Sequence, residues 1–93
     1  MEARVSSMDI LESAVRLVVY GRKECHLCLD MISVLNELQP RYFFQVELVD
    51  VDSDAELLVK YGERVPVLIA GGEEICHFHL DPSALGAYFD KIR

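Results

Sequence analysis

The chain has no tryptophan, only three cysteines, and nine lysine and arginine residues against sixteen aspartate and glutamate. Three cysteines are an odd number and too few to staple a small secreted scaffold, so a thiol-active protein of a reducing compartment, the cytoplasm, is expected. A formal net charge of −7 leaves little positive charge to neutralise phosphates, which argues against nucleic acid or an anionic membrane as partner. No apolar run approaches the roughly 20 residues of a membrane-spanning helix. Met1 to Ser13 carry Glu2, Arg4, Asp9 and Glu12 and no apolar stretch, so no secretory signal is expected. There is no repeat and no low-complexity segment. Ninety-three residues, 52% of them hydrophobic, make one core and one domain, expected as a monomer.

What is present is a pair of cysteines, Cys25 and Cys28, spaced C-x-x-C. The pair follows the apolar run Leu17-Val18-Val19-Tyr20 and opens a helical pattern. Two thiols three positions apart can close a small disulfide if the turn between them allows it. A thiol in the first turn of a helix feels the positive end of the helix dipole and free backbone N–H groups, both of which favour thiolate, the form that attacks disulfides. Cys25 is therefore the candidate nucleophile. Cys28 lies one turn inside the helix and is the candidate resolving thiol, expected to be more buried.

Along the chain, residues 1–14 are expected to be peripheral, with Met8 to Ala14 able to form a short helix, and 15–93 to form the domain. Arg16 to Tyr20 predicts a central strand buried on both faces, ended by Gly21. From His26 to Gln39 the apolar residues Leu27, Met31, Val34, Leu35 and Leu38 recur at helical spacing, and Pro40 stops the helix. Phe43 to Asp50 predicts a second strand. Ser53 with Glu56 predicts a capping box opening a helix to Tyr61, with Gly62 just past its end. Val65 to Ala70 and Glu73 to Phe78 predict two strands joined by a Gly71-Gly72 hairpin turn. Asp81-Pro82 predicts the cap and first residue of a last helix through Lys91. The order β-α-β-α-β-β-α predicts an α/β protein with a four-stranded mixed sheet. Strands separated by helices are expected to be parallel, and the hairpin pair antiparallel. The C-x-x-C then lies at the carboxyl end of a central strand, where open α/β sheets place their sites.

This order, with C-x-x-C opening the first helix and Val65-Pro66 further on, resembles the thioredoxin fold. Within it the chain is similar to the glutaredoxins, which lack the extra N-terminal strand and helix of thioredoxins. Tyr20-Gly21-Arg22-Lys23-Glu24-Cys25-His26-Leu27-Cys28 matches their pattern of aromatic, Gly, basic, then C-x-x-C, and Val65-Pro66-Val67-Leu68 matches their Thr-Val-Pro segment without the Thr. Cys-His-Leu-Cys with Arg-Val-Pro-Val-Leu looks closest to a group of small glutaredoxin-like proteins. The resemblance implies a thiol–disulfide oxidoreductase acting on protein or glutathione mixed disulfides. It needs no organic cofactor, and glutathione or a thioredoxin-type dithiol serves as reductant. It also implies that the Val65–Pro66 bond is cis, which exposes the Val65 backbone to pair with a substrate strand. Two departures bear on glutathione. His26 and Leu27 stand where glutaredoxins usually carry Pro and Tyr, and the Gly-Gly-Asp that holds the glutathione tail is replaced by Ile75-Cys76-His77-Phe78-His79-Leu80-Asp81. The buried Asp of thioredoxins corresponds here to Val19.

Four further residues carry open alternatives. His26, when protonated, would stabilise the Cys25 thiolate; otherwise it is an exposed imidazole. Arg22 either supplies charge beside the thiolate or meets a substrate carboxylate, or is a solvated loop charge. Cys76 with His79 completes, together with Cys25 and Cys28, a Cys₃His set suited to zinc. The bland alternative is a half-buried strand cysteine with surface histidines, strand alternation placing Cys76 and Phe78 on one face and His77 on the other. A regulatory thiol at Cys76 is a third reading. At the level of the whole protein, a non-catalytic binding module and a zinc or iron–sulfur carrier are the rivals of the enzyme. Asp50, Asp52 and Asp54 lack the glycine and terminal glutamate of a calcium loop and read as a solvated lead-in to a helix.

Overall fold

The structure is a computed structural model and describes residues 15–92. The expected peripheral segment and the short helix from Met8 lie outside the described residues. Four strands and three helices follow in the order β1 (Val15–Gly21), α1 (His26–Leu38), β2 (Phe44–Asp50), α2 (Ala55–Tyr61), β3 (Val67–Ala70), β4 (Glu73–His77) and α3 (Pro82–Lys91), with a single 3₁₀ turn, Val51–Ser53, between β2 and α2. They form one mixed sheet in the order β2-β1-β3-β4.

The main core lies between the sheet and helices α1 and α3. Leu17 and Val19 of β1, Leu68 and Ala70 of β3, Met31 and Leu35 of α1 and Leu85 of α3 lose essentially all their exposure, with Phe44 and Phe89 closing one end. Each large aliphatic side chain so buried contributes about 1.5–3 kcal/mol. Tyr42 stacks on Phe89 with ring centroids 4.6 Å apart. A smaller cluster of Val51, Tyr61 and Val67 fills the opposite face, with Tyr20, Leu57, Val65 and Ile69 against it. Tyr20 and Tyr61 stack there at 4.5 Å.

The predicted elements appear in the predicted order, with five local corrections. β1 is central but is not sealed on both faces. Leu17 and Val19 are fully buried, while Val18 and Tyr20 are half-buried and Arg16 is exposed. The seven residues of α2 are too few to cover that side.

β1 and β2 are parallel, from Val15 opposite Phe44 to Gly21 opposite Asp50. β3 does not continue that direction. It pairs with β1 antiparallel, Tyr20 opposite Val67 and Leu17 opposite Ala70. A seven-residue helix is only about 10 Å long and cannot carry the chain back along a strand of about 23 Å. The chain therefore leaves β2 and re-enters the sheet at the same end.

The helix cap moves by one residue. Ser53 Oγ donates to the Asp50 carbonyl at 2.6 Å and closes the 3₁₀ turn. Asp54 is then the residue that caps α2, accepting from Glu56 N at 2.8 Å. Gly62 keeps right-handed helical geometry, φ −54°, rather than turning left-handed.

The hairpin forms as expected, with Gly71 and Gly72 at φ 57° and 81°, values that favour glycine. β4, however, carries a bulge. Leu68 faces Cys76 but Ile69 faces Glu74, so Ile75 is an extra residue. Ile75 and Cys76 both pack against the main core. Strict alternation therefore fails, and Phe78 leaves the strand at φ 65°, 41% exposed, rather than sharing the face of Cys76. α3 starts as predicted, Asp81 accepting from Ala84 N at 3.1 Å with Pro82 next.

Candidate active site at the end of the sheet

The re-entry of the chain gathers the carboxyl ends of β1 and β2, the start of α1 and the start of β3 at one edge of the sheet. Cys25 sits there as the N-cap of α1, with extended backbone, φ −136° and ψ 105°. Its sulfur accepts the backbone N–H of Cys28 at 3.1 Å. The two cysteines are joined as a disulfide, their Cα atoms 5.2 Å apart. Cys25 is half-buried and Cys28 is 3% exposed. The first turn of α1 holds no acidic residue, so nothing within it neutralises the positive end of the helix. On reduction, the N–H that now meets Cys25 Sγ is placed to hold a thiolate.

Gly21 makes this packing possible. A Cβ at Gly21 would lie 2.8 Å from Cys28 Sγ and 3.6 Å from Leu48 Cδ1. The residue is needed for the close approach of the sulfur to the strand, beyond simply ending β1. Sequence reading gave Gly21 the lesser role because the contact joins two elements. The signal available was a glycine closing an apolar run a few residues before the first cysteine.

The remaining candidates surround the disulfide unevenly. His26, the first residue of α1, is exposed and lines a shallow cleft of about 430 Å³ with Lys23, Glu24, Cys25 and Leu29. Leu27 is half-buried and belongs to a second groove of about 230 Å³ with Met31, Val34, Phe78 and Leu80. Arg22 pairs with Asp52 Oδ1 at 3.2 Å. That explains the acidic run better than simple solvation does. Asp50 accepts from Asp52 N at 2.9 Å, Asp52 meets Arg22, and Asp54 caps α2. The Val65–Pro66 peptide bond is cis. Pro66 is buried, and the pairing of Tyr20 with Val67 places it beside Gly21. Val65 is half-buried, and the Pro66 carbonyl accepts the N–H of Phe78 at 2.9 Å.

Cys76 does not join the pair. It is half-buried and packs against the main core from β4, and burial pushes its thiol up, opposed in part by a backbone hydrogen bond from Asp81. Among the described residues no group of three His, Cys, Asp or Glu side chains could hold a metal ion. The zinc set of Cys25, Cys28, Cys76 and His79 is therefore corrected. The sheet sends Cys76 to the core while Cys25 and Cys28 bond to each other.

A cluster that the sequence did not announce lies on the other face. Glu74 of β4 accepts from Arg64, and His77 Nδ1 lies 2.9 Å from Glu74 Oε2. The hydrogen bond from Arg64, aided by His77, holds the Glu74 carboxyl below its ordinary value of 4.5 against a smaller opposing effect of burial. A carboxyl depressed in the folded state stabilises the fold above the unfolded value and loses that contribution as pH falls through the folded value. Urea unfolding is accordingly expected to show the wild type more stable than Glu74→Gln above the ordinary carboxyl value of 4.5, the gap narrowing as pH falls below it. A gap that widens on acidification would contradict this.

A disulfide opening the first helix of a mixed four-stranded sheet, with a cis X-Pro bond leading into the antiparallel β3, marks the thioredoxin fold. The chain belongs to the Glutaredoxin-like domain (DUF836) family, which matches residues 16–90. Among solved structures it is similar to protein Ne2328 from Nitrosomonas europaea at 44% identity, with 82% of this chain and 92% of that chain covered and a TM-score of 0.77. It is also similar to XcR50 from X. campestris at 34% identity, with 81% and 96% covered and a TM-score of 0.66. Thioredoxin 1 from Thermosipho africanus, at 14% identity with 82% and 96% covered and a TM-score of 0.55, shares the fold. No match was found among curated proteins. No helix among the described residues is long and apolar enough to cross a membrane.

Proposed function

We propose that the protein is a thiol–disulfide oxidoreductase of the cytoplasm, acting through the Cys25–Cys28 dithiol on disulfide-bearing proteins or glutathione mixed disulfides. The observation that carries this reading is the placement of Cys25. It caps α1, its sulfur takes the Cys28 N–H, and it is bonded to a thiol that substrate cannot reach directly.

In the reaction, the Cys25 thiolate attacks one sulfur of a substrate disulfide. That S–S bond breaks, and the leaving sulfur takes a proton from solvent. Cys28 then gives up its proton and attacks Cys25 Sγ, and the second substrate sulfur leaves as a thiol. Two electrons have passed to the substrate, and the protein holds the Cys25–Cys28 disulfide seen in the structure. Glutathione or a thioredoxin-type dithiol, oxidised in turn, returns it to the dithiol. The buried position of Cys28 keeps it from meeting the substrate itself, so it reacts only with the mixed disulfide on Cys25. His26 and Leu27 border the sulfurs, the Val65 backbone meets the substrate chain, and Arg22 reaches it only by giving up Asp52.

Reduction of insulin with dithiothreitol tests the assignment together with thiol alkylation. The oxidised protein should offer one slowly reacting thiol, Cys76, and the reduced protein three, with Cys25 the fastest at pH 7. Turnover no faster than dithiothreitol alone, with Cys25 reacting as slowly as Cys76, would end the proposal.

A further inference from the structure

The bulge in β4 has a chemical result. In a regular strand Glu74 and His77, three residues apart, lie on opposite faces. The extra Ile75 brings them to the same one, since Glu74 sits opposite Ile69 and His77 opposite Val67. Glu74 then reaches the segment leading into β3, and His77 reaches Glu74. Glu74 accepts from Arg64, the residue before Val65, and His77 contacts the other carboxylate oxygen at 2.9 Å. Arg64 also donates to the Lys60 carbonyl at 3.1 Å and lies 5.8 Å from the centre of the Tyr61 ring, which ties it to α2. His77 meets Phe78 edge-on at 4.8 Å, and Phe78 N–H donates to the Pro66 carbonyl at 2.9 Å. Val65 and Pro66 are thus held from both sides, by Arg64 before them and Phe78 against them. Both holds converge on one carboxylate.

We propose that Glu74 is a positioning residue, whose carboxylate buckles Arg64 and His77 together and so fixes the Val65 backbone for pairing with the chain of a polypeptide substrate. The inference rests on the oxidoreductase reading and deepens it. It makes the favoured substrate a disulfide carried on an extended peptide rather than a small disulfide with no backbone to pair. Glu74 takes no part in the chemistry of the sulfurs. Its loss should therefore weaken peptide capture and leave the bond exchange alone.

The test compares Glu74→Gln and Arg64→Met with the wild type on two substrates, insulin and 2-hydroxyethyl disulfide, the latter having no peptide backbone. For each variant KM for insulin is expected to rise about threefold, the scale of an exposed ion pair, with kcat unchanged and KM for hydroxyethyl disulfide unchanged. The double variant should add little to either single one. An unchanged insulin KM, or an equal rise for both substrates, overturns the proposal. Amide hydrogen exchange reports on the same buckle without turnover. The Phe78 amide, bonded to Pro66, should exchange about threefold faster in Glu74→Gln, and unaltered protection counts against Glu74. Should the wild type reduce neither substrate, the oxidoreductase reading has failed, and the Phe78 exchange rate alone decides whether Glu74 holds the segment.

Discussion

Cys25→Ser is expected to bring insulin reduction down to the rate of the reductant alone, a loss of about 10³-fold or more, because no other group in the chain can replace the attacking sulfur. Cys76, the remaining free thiol, is half-buried against the core, and burial pushes its thiol up. Cys28 is 3% exposed and cannot meet a protein substrate first. Cys28→Ser should behave differently. Cys25 still attacks, and nothing displaces the adduct, so a mixed disulfide accumulates. A nonreducing gel or intact mass would show the adduct on Cys25, removable with dithiothreitol. Wild-type turnover by Cys25→Ser, or an adduct found on Cys76, would refute the roles given to the two sulfurs.

Gly21→Ala should have the second-largest effect, and an effect that depends on redox state. The new Cβ would lie 2.8 Å from Cys28 Sγ, closer than real contacts allow. In the disulfide form Cys28 Sγ is fixed by its bond to Cys25 and has nowhere to go. Overpacking of this kind costs about 1–3 kcal/mol, or roughly 4–8 °C of melting temperature per kcal/mol for a domain of this size. In the dithiol form the Cys28 side chain can turn away, so the cost falls. The oxidised protein is therefore destabilised more than the reduced one. The variant should melt well below the wild type when oxidised and closer to it when reduced. Its potential should shift towards a stronger oxidant, by about 30 mV for each 1.4 kcal/mol of difference. Equal melting losses in the two states would show that the contact is relieved by backbone movement and not by the sulfur.

Elements governed by neighbours in the chain were legible in the sequence. The apolar run of β1, the helical spacing from Leu27 to Leu38 before Pro40, the Gly71-Gly72 turn and the Asp81-Pro82 start of α3 each carry a local rule, and each forms where it was read. So was the cysteine pair, because a disulfide across three positions at a helix start is a local matter too. What escaped depends on partners distant in sequence. The antiparallel entry of β3 follows from how little length α2 provides. Ser53 lost the cap because Asp50 offered its hydroxyl a better acceptor. The bulge at Ile75 became visible only once β3 supplied a register. Arg22 finding Asp52, and Glu74 finding Arg64, are pairings that no spacing rule announces.

Because β2 exits and β3 begins on one rim, the stretch from Val51 to Pro66 is strung between two anchored points without threading the scaffold. Lengthening its exposed parts leaves the ladder in place as long as Val51, Tyr61 and Pro66 keep their buried positions. For those exposed parts the cost is that of a surface loop, growing slowly with added residues. On the oxidoreductase reading, its exposed residues are therefore the place to graft a recognition segment without touching the sheet.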